Sequence, residues 1–197
     1  MRTHQTSPHR SLVRVPASWR SEINCVLITR QQIARRVRQL SAEIERDFAG
    51  RDLVVVALLN GTVLFLADLI RHLNLPLRLD FIGVSSYREG TKSRELVFTK
   101  ELRLDVRGRD VLLVDDILDT GRTLKAVIAK LRKLKPRRLH VCVLLEKKAR
   151  RVEKVRAHHV GFQIPDAFVV GYGLDYAERY RNLPFVGVLK SEAIRHA

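Results

Sequence analysis

At 197 residues, with 46% hydrophobic side chains, the chain is long enough for one domain with a proper core, and its composition excludes a disordered or fibrous protein. Thirty-seven Lys and Arg against 21 Asp and Glu give a net charge of +16, which bears on association with anionic substrates, nucleic acid or acidic partners and not on fold. The longest apolar region, 53–70, has about the length of a membrane span, but Asn60, Gly61, Thr62 and Asp68 interrupt it, so no membrane segment is expected.

Residues 1–20 are polar and basic, contain Pro8 and Pro16 and show no periodicity; they read as a flexible tail. The first thirty residues hold no secretory apolar core. A strand-like stretch from Ile23 to Ile28 leads into Thr29-Arg30-Gln31-Gln32, a capping-box pattern. Ile33, Val37, Leu40, Ile44 and Phe48 then recur at helical spacing until Gly50. Leu53 to Leu59 reads as a buried strand, Asn60-Gly61 as a turn, and the residues to about Leu73 as a helix. A strand is expected from Leu77 to Val84, a mobile polar loop from Ser85 to Arg94, and edge strands from Leu96 to Leu104. Arg107-Gly108 turns the chain into Val111-Leu112-Leu113-Val114. Beyond it Leu124, Val127, Ile128, Leu131 and Leu134 form one apolar helix face, Pro136 ends that helix, and Leu139 to Leu145 gives another central strand. From Ala157 onward short strands and aromatic loops suggest a lid. Strands alternating with helices in this way predict an α/β fold, a doubly wound and mostly parallel sheet. Residues 21–197 form one domain in this reading, with lid elements mainly from 157–190. Cys25 and Cys142 lie in apolar runs and are expected to be buried and reduced, which points to a cytoplasmic protein.

The chemistry concentrates after Val114. The apolar run ends in Asp115-Asp116, at the carboxyl end of a strand, where open α/β sheets bind ligands. Asp119, Thr120, Gly121, Arg122 and Thr123 follow and open a helix, so the loop offers N–H groups and hydroxyls to a phosphate. Gly121 allows close backbone approach and a positive φ. Carboxylates beside such a cradle suit sugar hydroxyls or Mg²⁺. The stretch from Val111 to Leu124 resembles the 5-phosphoribosyl-1-pyrophosphate (PRPP) signature of type I phosphoribosyltransferases. Leu59-Asn60-Gly61, Ser85-Ser86-Tyr87, Leu144-Leu145-Glu146-Lys147 and the block from Phe168 to Pro184 extend the likeness. Together they resemble bacterial-type hypoxanthine-guanine phosphoribosyltransferases across nearly all of 21–190.

The resemblance implies Mg²⁺-dependent conversion of hypoxanthine or guanine plus PRPP to IMP or GMP plus pyrophosphate. It makes Asp119 the general base. Asp115 and Asp116 would hold the ribose hydroxyls and the metal's water shell, and Thr120 to Thr123 the 5′-phosphate. Asn60, Gly61 and Arg181 would bind pyrophosphate. Lys147, Phe168, Val169 and Asp175 would bind the purine, Asp175 would also hold a metal, and Ser86 and Tyr87 would close over the site. Lys147 can only donate hydrogen bonds, so it suits a purine O6 and not adenine's amino group. The family also implies a homodimer or homotetramer and a peptide after Leu59 that can be cis. Two departures stand out: the family usually has Glu at Asp115 and Lys or Arg at Asn60.

Residues 121–156 carry fourteen basic side chains and only Glu146 and Glu153 as acids. This segment motivates an alternative, an RNA-binding regulator on the phosphoribosyltransferase fold, although only weak nucleic-acid binding is expected beside an intact purine site. His158-His159 raises a metal pair, but neighbours on a strand point to opposite faces and no third ligand is evident.

Overall fold

The computed structural model describes residues 15–87 and 95–194. Six strands form the main sheet: β2 (Leu53–Leu59), β3 (Leu77–Tyr87), β4 (Glu95–Lys100), β5 (Asp110–Leu118), β6 (Arg138–Lys147) and β7 (His159–Ile164). Their order is β4-β3-β2-β5-β6-β7, and only the edge pair of β3 with β4 is antiparallel. The central strands are apolar throughout because both of their faces are covered. Leu53, Val55, Ala57, Leu112 and Val114 pack with helices α1 (Arg30–Asp47) and α2 (Val63–Ile70). Val54, Val56, Leu58, Val111 and Leu113 pack with α3 (Arg122–Lys133) on the other face. Fully burying side chains of this size contributes roughly 1.5–3 kcal/mol each. The helix start read from Thr29 is present: Thr29 Oγ1 accepts from Gln32 N at 3.2 Å and Gln32 Oε1 accepts from Thr29 N at 2.8 Å.

A second sheet has the order β1-β9-β8, from β1 (Ile23–Ile28), β8 (Val169–Val170) and β9 (Val186–Leu189). A short helix, α4 (Ser191–Ile194), follows it. Several expectations change here. The stretch 159–164, expected in the lid, is instead the parallel edge strand β7 of the main sheet, because β6 leaves an unpaired edge that these residues fill. The strand that completes the small sheet comes from the far end of the chain, β1, and pairs antiparallel with β9. Val15 and Trp19, expected in a loose tail, pack against the small sheet's core, with the Trp19 ring 5.7 Å from that of Tyr180; residues 1–14 lie outside the described residues. Cys25 is exposed and only Cys142 is buried. The pairing of β1 with β9 shifts register between Ile23 and Cys25, and such an irregularity turns a residue out of the alternation. Ser85, Ser86 and Tyr87, expected in a loop, continue β3 by pairing with Val97, Leu96 and Glu95. Residues 88–94 of that expected loop lie outside the described residues. Among the described residues no helix is long and apolar enough to cross a membrane.

Asp80 on β3 fastens the connection from β4 to β5. Its carboxylate accepts from Arg103 N at 2.6 Å, Leu104 N at 2.9 Å, Phe81 N at 2.7 Å and Lys100 Nζ at 3.0 Å. Burial alone raises a carboxyl pKa, but the N–H of Leu104, Lys100 and the other donors outweigh it and bring Asp80 down to about 2. The folded value lies below the unfolded one. The stability it contributes is therefore complete above about pH 4 and is lost as the pH falls toward about 2. Asp80→Asn is expected to cost roughly 1–2 kcal/mol at pH 7. Urea titrations of both proteins should show that gap at pH 7 and see it close in acid.

Candidate active site

The cleft opens where β5 outruns its neighbour. Pairing of β5 with β2 stops at Ala57 and Val114, while β5 stays paired with β6 through Asp115, Ile117 and Leu118. On the β2 side the chain turns away through Asn60-Gly61, across a cis Leu59–Asn60 peptide. Asp115 and Asp116 thus face a gap in the sheet's covering and not bulk water. Asp115 Oδ1 accepts from Asp116 N at 3.0 Å and sits 3.4 Å from the buried Thr62 hydroxyl. Burial, and then the charge of Asp116, hold the Asp115 carboxyl well above the usual range. Burial also raises Asp116, opposed by its hydrogen bonding with Asp115 and the Ile117 N–H and, least, by the Arg181 guanidinium.

The cleft has two lobes. One, of about 240 Å³, is lined by Gly61, Thr62, Asp115, Asp116, Asp119, Thr120, Gly121 and Thr123. The other, of about 220 Å³, is lined by Lys147, Arg150, Phe168, Val169, Leu174 and Asp175. Asp116, Ile117 and Asp119 belong to both walls. In the first lobe Gly121 caps α3 at φ 84°, the left-handed conformation that spares the loop a side chain. Asp119 Oδ1 is buried and accepts no hydrogen bond. In the second, Lys147 is the last residue of β6 and only 5% exposed. Burial lowers its pKa, opposed by the charges of Asp119 and Asp166. Phe168 remains 40% exposed, with Tyr176 edge-on to its ring at 5.3 Å.

Other expected site residues stand apart. Asn60 and Arg122 are exposed, outside either wall. Arg181 is engaged by Gly173 O at 2.9 Å, Asp175 at 3.1 Å and Glu178 at 2.8 Å. Of Ser86 and Tyr87 only the backbone is described, as strand. Sequence reasoning missed Arg151. Its guanidinium donates to the carbonyls of Asp119 at 2.9 Å, Lys147 at 3.0 Å, Val155 at 3.1 Å and Leu118 at 3.2 Å, so one side chain holds the phosphate-type loop to the lysine. Within a run of basic residues it carried no distinguishing signal.

Most of the basic side chains of 121–156 are exposed, but several pair with acids of the chain. Arg137 forks onto Asp110 at 2.9 and 2.6 Å, Lys125 meets Glu153 at 2.7 Å and Lys130 meets Glu101 at 2.6 Å. For Mg²⁺, the donors suit a hard cation: the buried Asp115 and half-buried Asp116 carboxylates, and Asp175 beside the same wall. Asp115, Asp116 and Asp175 do not converge into a cage among the described residues. That fits an ion which usually keeps its waters and shares substrate phosphates.

Residues 27–177 match the Phosphoribosyl transferase domain, and a parallel sheet with paired carboxylates above a helix-opening loop is of that class. The hypoxanthine-guanine phosphoribosyltransferase of Bacillus subtilis is 44% identical over 86% of this chain and 94% of its own length. A hypoxanthine phosphoribosyltransferase structure from Staphylococcus aureus superposes with a TM-score of 0.85 at 41% identity, covering 91% of this chain and 98% of that one. The bifunctional protein TilS/HprT of Listeria monocytogenes is 43% identical over 89% of this chain, which spans 27% of that longer protein. The chain belongs to the hypoxanthine-guanine phosphoribosyltransferase family.

Gly61 shows how tightly the first lobe is built. A Cβ there would lie 1.8 Å from Asp116 Oδ2, and one on Gly173 would lie 2.0 Å from the Gly61 carbonyl oxygen. Gly61→Ala must therefore displace the Asp116 carboxylate or the loop. Overpacking of this kind costs about 1–3 kcal/mol, so Gly61→Ala is expected to be less stable than the parent protein by about that amount. Urea titrations of the two proteins, followed by circular dichroism, check it.

Proposed function

We propose that the protein salvages purines, joining hypoxanthine or guanine to PRPP to give IMP or GMP and pyrophosphate. The observation that carries this reading is the two-lobed cleft with Asp116 and Asp119 in the common wall. A sugar phosphate in one lobe would meet a planar base in the other beside those carboxylates. The 120–123 loop would hold the 5′-phosphate, with Asp115 and Asp116 on the ribose hydroxyls. Lys147 would donate to the purine O6 and Phe168 would cover the ring, a contact worth ~1–3 kcal/mol where aromatics stack on bases.

As purine N9 bonds to the ribose C1′ and pyrophosphate departs, the proton on N7 passes to Asp119. Its unpartnered Oδ1 suits that role. Mg²⁺ would be held by Asp175 and, through water, by Asp115 and Asp116; the chemistry it supplies is neutralisation of diphosphate charge. Asn60 brings no cation, so pyrophosphate would rely on main-chain N–H groups, Gly61 and Arg181, the last after exchanging its pairing with Asp175. Ser86 and Tyr87 would close over the bound substrates. On family grounds we read the protein as a cytoplasmic homodimer or homotetramer. The RNA-binding alternative is not supported: the relatives are named as transferases.

Assays with PRPP, Mg²⁺ and a panel of bases should show turnover of hypoxanthine and guanine and none of adenine. Lys147→Ala should lower kcat/KM for both oxopurines while PRPP binding holds. Efficient adenine turnover would sink the assignment. Asp119→Asn keeps the side chain's shape but removes the proton acceptor. Its kcat should fall by about 10²–10⁴ with little change in KM, and an unchanged kcat would move the base elsewhere.

A further inference from the structure

At the opposite end of the sheet from the cleft, side chains from three elements converge. Asp47 ends α1, His140 lies near the start of β6 and His159 opens β7. At ~3.3 Å per strand residue, the run from His140 to Lys147 separates this cluster from the purine lobe by about 23 Å.

One ligand-type atom from each residue lies within 4.8 Å of the others. His159 Nε2 stands 3.4 Å from Asp47 Oδ2, and His140 Nδ1 stands 3.9 Å from the same oxygen. A tetrahedral ion with bonds of about 2.0–2.1 Å holds its ligand atoms about 3.3–3.4 Å apart. The first pair already has that spacing, and the second needs a small rotamer adjustment. His159 is 3% exposed, and both its Nε2 and His140 Nδ1 are buried without a hydrogen-bond partner. Buried polar atoms are normally satisfied, and two orphans facing one carboxylate call for an occupant.

The surroundings suit ligands. Glu43 Oε2 lies 4.0 Å from His159 Nδ1, close to where a carboxylate orients a metal-bound imidazole. The His158 ring stacks on His140 at 4.1 Å and 8°. Its Nδ1 accepts from Val141 N, so His158 supports the cluster without joining it. Arg138 donates to the Asp47 carbonyl at 3.0 Å and Arg36 pairs with Glu43 at 2.7 Å; with Arg156 near His140, these cations temper the affinity.

We propose that Asp47, His140 and His159 form a second metal site, for a divalent transition ion with Zn²⁺ the best fit. Two imidazoles and one carboxylate are the donors such borderline ions favour, whereas Mg²⁺ prefers oxygen. The exposed side of Asp47 leaves a fourth position to water. An ion there would pin the end of α1 to the starts of β6 and β7.

The test uses tag-free full-length protein, stripped with chelator and kept in excess Mg²⁺. It is titrated with Co²⁺, followed by visible absorption, and with Zn²⁺ by calorimetry. One equivalent of Co²⁺ should bind with tetrahedral bands that Zn²⁺ abolishes. Asp47→Asn and His159→Gln should each weaken binding at least about tenfold, while Asp175→Asn leaves it unchanged. Asp47→Asn alters an exposed side chain, so it decides the matter even if His159→Gln fails to fold. Failure to bind one equivalent, binding that Asp47→Asn leaves intact, or binding lost in Asp175→Asn overturns the proposal.

Discussion

Two adjacent carboxylates leave the central sheet at Asp115, which is buried, and Asp116, which is half-buried in the cleft wall, and the rest of the site is arranged around the cost of desolvating them. Removing ionised carboxylates from solvent is unfavourable unless charge or hydrogen bonds compensate. Here the backbone N–H groups of Asp116 and Ile117, the Thr62 hydroxyl and the field of Arg181 offset only part of it, since both carboxyls remain raised. The pair is thus poised for a ligand that brings hydroxyl donors or a cation. Gly61 has no side chain because Asp116 occupies that space, and Gly173 has none because the Gly61 carbonyl does. Through these contacts the two lobes and the Asn60 loop are packed as one unit.

Arg151 is the second tie. It collects the carbonyls of Leu118, Asp119, Lys147 and Val155 around one planar group, and a guanidinium presents enough donors in a fixed fork for such a task. Thr120 O accepts from the N–H groups of Val152 and Glu153 at 3.0 Å, so the segment after β6 wraps the phosphate-type loop. At Arg151, one charge of the basic segment is spent on holding the loop beside the lysine.

The small sheet is built from both ends of the chain. Pairing of β1 with β9 brings Glu22 to Arg179 at 3.0 Å, and Trp19 onto Tyr180. The N-terminal strand is thereby coupled to the 171–181 loop that carries Asp175 and Arg181. Long-range pairing of this kind leaves no trace in local periodicity, which is why a lid was expected from the C-terminal residues alone.

The strands and helices flanking the cleft, the capping box at Thr29, the positive φ of Gly121 and the placement of Asp115 to Thr123 at a strand-to-helix turn were all legible in the residues. Each depends on interactions between near neighbours, or on burial that shows as an uninterrupted apolar run. What remained illegible depends on residues far apart in the chain. The assignment of 159–164 to the main sheet follows from the open edge of β6. The exposure of Cys25 follows from a register shift against β9. The grip of Arg151 requires four carbonyls gathered from two loops. The convergence of Asp47, His140 and His159 requires α1 to end beside two strand starts more than ninety residues away. Local sequence specifies which elements form and which faces they bury; only packing of the whole chain decides which distant side chains share a space, because that proximity is a property of the assembled sheet and of no single segment.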